Sequence, residues 1–420
     1  MMIRFRTENF RSIREEQELS MVASPLSENA GALVRAERYG IDLLRAAAVY
    51  GPNASGKSSL FSSLHFMRNA VVESHRSWHP AGGVPRIPFA LDRRSAGEPS
   101  LFAIDVLVGD VRYEYGFTVT SARVLEEWLY AWPRGRRQEW FTRDASRDME
   151  FVFNRALAGE NRAISAFTRP NSLFLSAAAQ NNHEMLGPIY RWFAERLWVA
   201  DDDTRREFEK YTVQRCREPA FREILSSFLR TADLGLTGID FTEEEASPDP
   251  QRQGDPIAEA FRALAGGPRV QFRHGSDDPF AEYALPYDQE SRGTRTLFSL
   301  LGVVSWSLES GSTLAIDELD QSLHSQLART IVETFNGEHT NPNGAQLLFN
   351  THDTNLLDTT LLRRDQIWFT EKGLNGATRL FPLTDFHARK QENLERGYLQ
   401  GRYGAVPAVS PFHPGLTTQG

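Results

Sequence analysis

The run "LLRAAAVYGPNASGKSSLFSSLHFM", residues 43–67, reads as an apolar strand, a glycine-containing turn and an amphipathic helix. Gly51, Gly56, Lys57 and Ser58 match GxxxxGK[ST], with Asn53 inside the turn and Ser59 following it. Leu60, Leu64 and Met67 fall at i, i+4 and i+7, the stripe of a helix with one buried face. Backbone N–H groups turned inward at a helix N-terminus favour phosphate, because the helix dipole places positive charge there. Lys57 would reach the β- and γ-phosphates of a nucleotide, and the Ser58 hydroxyl would ligate Mg²⁺. ATP and Mg²⁺ are therefore the expected ligands.

A second stretch, "TLAIDELDQSLH" (313–324), gathers Asp317, Glu318 and Asp320 directly after a short apolar run. Like charges this close repel and lose hydration unless a cation or a nucleotide's metal compensates them. Beside a phosphate loop, Asp317 is the expected magnesium-associated carboxylate, and Glu318 the group that orients or deprotonates the attacking water. Asp320 has two readings: a cap for a helix beginning near Ser322, or a link between two sites across a subunit boundary.

Elsewhere, "IRFRTENFRSI" alternates like an edge strand, and residues 86–153 read as a β-rich lobe. There Val111, Tyr113, Tyr115, Phe117 and Val119 alternate after a two-residue Gly109-Asp110 hairpin. Helical periodicity marks "PIYRWFAERLW" and "REPAFREILSSFLRTA", with Asp203 or Thr204 as an N-cap between them. The polar stretch 242–256 reads as a mobile loop. Strands at "RVQFRH", "TLAI", "AQLLFNTHD" and "DQIWFTE" then alternate with helices over 292–308 and 322–336. The expected fold class is α/β, with a mixed, largely parallel sheet, a β-rich N-terminal lobe and a helical insertion. The expected division is 1–182 and 272–420 for the two halves of the head, with 183–271 as the insertion and loop; Lys57 and Asp317 lie 260 residues apart.

At 420 residues and 40% hydrophobic content the chain can bury a large core. A net charge of −8 argues against a surface basic all over, though not against a local basic groove. Cys216 is the single cysteine, which rules out an intramolecular disulfide and any multi-cysteine zinc site and suits a reducing cytoplasm. The N-terminus lacks a signal-peptide core, and "TLFSLLGVVSWSL" (296–308) is too short to span a bilayer, so no membrane segment is expected. His75, His79 and His324 show no metal-ligand spacing. The hairpin "PRGRRQEWFTR" could hold nucleic acid through Arg134, Arg136 and Arg137 with Trp140 stacking on a base, or be an ordinary solvated turn.

Taken together, these segments resemble the ATP-binding-cassette-type ATPases of the SMC, RecF and OLD kind. "ESRGTRTLF" resembles their signature motif, which implies that Ser291 and Gly293 contact the γ-phosphate of ATP bound to an opposite subunit, although Arg292 and Thr294 differ from the LSGGQ of transporters. "LLFNTHD" places His352 where the group carries a switch histidine, with Asn350 where relatives often have threonine. "ENFRSI" places Arg11 where relatives use an arginine near the phosphates, and Gln180 in "LSAAAQNN" either resembles the glutamine that senses Mg²⁺ or the attacking water, or is a surface amide at a strand end. From "YGPNASGKSS" through "IDELDQSLH" to "ENLERGYLQGRYGAVP" the chain looks like the RloA/AbiL-type ATPases of abortive-infection systems, related to the AriA ATPase of PARIS.

The resemblance implies a slow, oligomer-dependent ATPase, a sensor or regulatory subunit of an antiphage system, in which two or more copies sandwich ATP in response to a trigger such as a phage protein. Only 68 residues follow His352, short of a typical domain and without a DxD pair, so the expected nuclease is a separate Toprim-type effector. A RecF-like DNA-repair ATPase and a nucleotide-gated scaffold with negligible hydrolysis are the alternatives.

Overall fold

The strand that feeds the phosphate loop, Ala46–Tyr50, is buried throughout and lies inside a six-stranded sheet. Alanines at 46–48 leave room for side chains packed on both faces, as a strand covered on two sides requires. The order across the sheet is Leu197–Ala200, Thr313–Ile316, Gln346–Asn350, Ala46–Tyr50, Ile367–Lys372 and Thr378–Pro382. All neighbours are parallel except the last pair. This is the α/β, largely parallel arrangement expected, and it brings the C-terminal ends of four strands, at Ala200, Ile316, Asn350 and Tyr50, to one edge. Ligands of open α/β sheets bind at that edge. The computed structural model describes residues 1–201, 204–231, 235–243, 268–275, 283–321, 323–389 and 392–406.

A second, antiparallel sheet of seven strands runs from Phe151–Phe153 to Gln17–Ser20. Met2–Glu8, expected at an edge, is internal: it pairs with both Gln17–Ser20 and Ser100–Val108. Its alternation reflects one buried face rather than a free edge. The Gly109-Asp110 hairpin forms as expected, closing between Val108 and Val111. Helix Lys57–Glu73 is packed between the two sheets, its Leu60, Leu64 and Met67 sharing a core with Val49 of one and Phe102 and Ile104 of the other.

Residues 183–271 are not wholly helical. Gly187–Glu195 ends before Leu197–Ala200, which is a strand of the parallel sheet. Four consecutive apolar residues there satisfy a strand buried on both faces as well as a helix end, and pairing with Thr313–Ile316 decides between them. Helices Arg205–Arg215 and Pro219–Thr231 follow, then a three-stranded sheet of Leu236–Glu243, Pro268–His274 and Tyr283–Pro286. Phe221, Leu225 and Leu229 pack with Phe272 and with Leu297 and Phe298 of helix Arg292–Ser310 in a separate core. Of the 242–256 loop, only Thr242 and Glu243 lie within the described residues, closing a strand. Asp203 and Ser322 also lie outside them.

Candidate nucleotide site

Tight packing explains both glycines of the loop. A Cβ on Gly51 would lie 2.5 Å from the Thr370 carbonyl and 2.7 Å from Ser55 Oγ. Gly56, with φ at +106°, caps the helix, and a Cβ there would run into Thr378 and come within 2.8 Å of Ser12 Oγ. Ser55 and Thr370 share a hydroxyl hydrogen bond of 2.6 Å, and Thr378 Oγ1 donates to Ser55 O at 2.9 Å. Antiparallel strand Thr378–Pro382 therefore braces the loop from outside. Asn53 is exposed at its tip.

Lys57 is only 5% exposed, and its ammonium donates to Gly51 O (2.8 Å) and Pro52 O (3.2 Å). Burial pulls its pKa down to about 8, opposed by Glu318, Asp317 and Asp320. A buried cation whose ammonium is held by neutral carbonyls is poised to accept an anion.

The three carboxylates separate as soon as they leave the strand. Asp317 donates its backbone N–H to Ala200 O at 2.9 Å, while its carboxylate accepts from Asn350 Nδ2 and from the Ser58 hydroxyl. Burial raises its pKa, and those two hydrogen bonds pull the other way. Glu318 adopts φ +61°, and its N–H donates to Asn350 Oδ1 at 2.7 Å. Asp320 accepts the His352 backbone N–H on both oxygens, at 3.3 and 3.2 Å. It is not the helix cap: helix Ser325–Asn336 begins later and is capped by His324, whose Nδ1 accepts from Gln326 N at 3.2 Å. The carboxylate is already engaged by the neighbouring strand's turn.

Among the described residues no group of three or more His, Cys, Asp or Glu side chains is arranged to hold a metal. The donors that converge are Ser58 and Asp317. That set fits Mg²⁺, which is commonly bound by one or two carboxylates with substrate phosphates and water completing an octahedron. The glycine-lined turn and buried ammonium fit the phosphates of ATP by the same reasoning.

His352 is exposed, yet its pKa is lowered by partial desolvation and by Lys57, against Asp320, Glu318 and Asp317. Arg11, at φ +51°, sits beside the loop because Ser12 Oγ donates to Ser59 Oγ at 2.8 Å. Ser291 is the N-cap of Arg292–Ser310, its Oγ accepting from Thr294 N at 3.1 Å, with Gly293 in the first turn. Further along that helix, Thr296, Ser299 and Leu300 line a cavity of about 220 Å³ shared with Ser58, Asp317 and Glu318; Ser291 and Gly293 are not part of its wall.

Gln180 lies elsewhere. It ends a helix, Phe174–Gln180, not a strand, and its amide bonds Tyr190, whose hydroxyl donates to Val72 O at 3.3 Å. Val72 is fifteen residues along the helix that begins at Lys57, about 22 Å from the loop. Alanines at 177–179 favour helix over strand. Trp140, which the nucleic-acid reading of its hairpin would stack on a base, is 4% exposed, with its ring edge-on to Tyr113 in the core. Arg137 instead lies over the Tyr130 ring, 3.7 Å from its centre.

Two residues not anticipated are drawn to the site. Asn350 grips Asp317 and Glu318 together. Asp201 follows Leu197–Ala200 as Asp317 follows Thr313–Ile316, in the adjacent parallel strand, and lines the same cavity. Its Oδ2 accepts from His65 Nδ1 at 2.7 Å and its Oδ1 from Thr204 N at 3.0 Å. Arg205 then bonds Thr296, joining this edge of the site to the 292–310 helix.

Residues 46–358 match the family described as "AAA domain, putative AbiEii toxin, Type IV TA system". The chain belongs to this AAA family. It is an ATP-binding ATPase of the AAA type. No curated protein matches it. Among solved structures it is similar to an SMC head bound to the C-terminal winged-helix domain of ScpA, at 14% identity and a TM-score of 0.47, covering 91% of this chain and 99% of that one. The SMC head domain from Thermotoga maritima follows at 12% identity and 0.39, covering 91% and 98%. An SMC head with an extended coiled coil from Pyrococcus furiosus, bound to the C-terminal domain of ScpA, gives 12% and 0.43, covering 91% and 97%. Among the described residues no helix is long and apolar enough to cross a membrane.

Proposed function

We propose that this AAA ATPase is a sensor or regulatory subunit of an antiphage, abortive-infection system, working by a nucleotide-dependent association of two or more copies. The observation that carries the ATPase part of the reading is the Asn350 amide, which holds Asp317 and the Glu318 backbone together beside Ser58 and Lys57. Lys57 and the loop N–H groups bind the triphosphate, with Arg11 and Asn53 at its rim and Ser59 bracing the loop. Ser58 and Asp317 would hold magnesium, which would supply neutralisation of the phosphate charge. Glu318 orients the attacking water and accepts its proton, and His352 steadies the γ-phosphate end.

Ser291 and Gly293, at the exposed start of a long helix, supply hydrogen-bond donors to the nucleotide of a second copy. One copy alone therefore hydrolyses slowly, because those donors are missing from its own site. Asp320, which holds the His352 backbone, would relay that contact to the histidine. The family description includes a type IV toxin–antitoxin system, which supports a role in defence. The partner proposed is a separate Toprim-type nuclease, released or engaged as the assembly changes with a phage protein as trigger, in the cytoplasm. The RecF-like alternative loses its proposed stacking residue, since Trp140 is in the core.

Purification of the chain with its neighbouring gene product, followed by mass measurement with and without ATP, tests the assignment. Co-assembly that changes with ATP supports it. A chain that binds DNA in a salt-dependent way, is stimulated by it and has no protein partner would favour the repair reading instead.

A further inference from the structure

Two buried polar atoms beside the site have no hydrogen-bond partner among the described residues: Tyr50 Oη and Asp353 Oδ2. Tyr50 is the last residue of the strand that feeds the phosphate loop and is 1% exposed. Asp353 follows His352. Its other oxygen accepts from Asn355 N at 3.0 Å and Asn355 Nδ2 at 2.7 Å, and its N–H donates to Thr351 Oγ1 at 2.9 Å.

The topology brings these residues together. The strands ending at Tyr50 and Asn350 are parallel neighbours, with Asn350 opposite Val49 and Thr351 N donating to Val49 O at 3.3 Å. The chain therefore reaches Asp353 just beyond the point where its neighbour ends in Tyr50. Tyr50 and the residue after Asp353 are also tied to helix Leu394–Leu399. The Tyr50 ring lies 6.2 Å from that of Tyr398, and Thr354 Oγ1 donates to Glu395 at 2.8 Å. After burial itself, the Asp353 carboxylate is the leading reason the Tyr50 hydroxyl keeps its proton.

A phenol that must donate and a carboxylate that can only accept, both shut away from solvent, are costly apart and compatible together. Buried groups of this kind are ordinarily joined directly or through an internal water. We propose that a buried water joins Tyr50 Oη to Asp353 Oδ2, and that the pair is a positioning device setting the His352 turn against the phosphate loop. The water accepts from Tyr50 and donates to Asp353. Asp353 in turn holds Asn355, and the His352 N–H is held by Asp320, so the histidine is fixed on both sides. The positioning role rests on the reading of His352 given above; the bridge does not.

The full-length chain carrying Tyr50→Phe, Asp353→Asn or both tests this through urea midpoints without nucleotide and through kcat and KM for ATP. A bridged hydroxyl predicts a lowered midpoint for Tyr50→Phe, a kcat reduced about fivefold with KM within about twofold, and a double variant little worse than either single one. An unchanged or raised midpoint for Tyr50→Phe would show that removing the hydroxyl costs nothing and would overturn the bridge. So would strictly additive effects of the two substitutions. Wild-type turnover by His352→Ala would overturn the positioning role and the reading of the histidine together, and the midpoints would still decide the bridge.

Discussion

Asn350 Oδ1 accepts the backbone N–H of Glu318 at 2.7 Å, across the boundary between two parallel strands. The same amide donates to Asp317, so one side chain sets the spacing between the carboxylate assigned to the metal and the carboxylate assigned to water. Glu318 is also held at φ +61°, an uncommon conformation for a non-glycine residue, and the Asn350 contact helps to hold it there.

Asn350→Ala should therefore lower turnover by about 10- to 100-fold, the range seen when a residue orienting metal ligands is lost, with a weakened apparent Mg²⁺ affinity. Magnesium titration of steady-state ATPase measures both. Asn350→Asp should be worse than alanine, since it adds a like charge against Asp317.

Lys57 gives a pH dependence with a definite sign. Its folded pKa of about 8 lies below the unfolded value, so between about 8 and 10.5 the unfolded chain carries the extra proton. This group's contribution to the stability of the nucleotide-free protein rises with pH through that window. ATP binding requires the ammonium, so affinity should fall as pH rises through about 8 while protons are taken up on binding. Calorimetry in buffers of different ionisation heat reads that uptake. Lys57→Met should abolish ATP binding and stabilise the nucleotide-free protein by about 1–3 kcal/mol at neutral pH, by removing a desolvated cation.

Asp201→Ala removes the acceptor of Thr204 N and the partner of His65 in one step. A loss of about 1–2 kcal/mol in thermal or urea unfolding is expected, on the scale of a helix cap plus a freed buried donor. Turnover should fall about tenfold, because the helix carrying Arg205 and its contact to Thr296 loses its anchor beside Asp317. Asp201→Asn, which keeps the shape, should recover most of the stability.

Gly56→Ala tests the loop's packing without touching a charged group. The added methyl meets Thr378 and Ser12, and φ of +106° disfavours any Cβ. ATP binding should be lost while the far-UV spectrum stays native, because the strain is confined to the first turn of one helix.

The parts of this molecule legible in its sequence are those written in a short span. The strand, turn and helix over 43–67 need only local sterics and one buried stripe, and the Gly109-Asp110 hairpin needs only two residues. Asp317 was legible because it follows three apolar residues, Leu314, Ala315 and Ile316, and the sequence also carries a phosphate loop. Asp201 follows four apolar residues, yet Leu197–Ala200 continues a helical pattern without a break, and only pairing with Thr313–Ile316 makes it a strand. Asn350 and Asp320 act through partners thirty or so residues away in other strands, a relationship carried by register and not by local pattern. The resemblance that placed Gln180 near the metal does not survive its position at the end of helix Phe174–Gln180, and of the two readings of the 133–143 hairpin the one that stacks Trp140 on a base is excluded by burial of that ring, which no local pattern displays.

The central claim is that ATP is held between two copies of the chain, and the Glu318→Gln variant tests it most directly. That substitution keeps the loop, Asn350 and Asp317 but removes the carboxylate proposed to accept the water's proton. Its mass in solution, measured by light scattering with and without Mg·ATP, should at least double on adding nucleotide, and Ser291→Arg in the same background should return it to the starting mass. A mass that stays the same at saturating Mg·ATP, with nucleotide bound, would contradict the account.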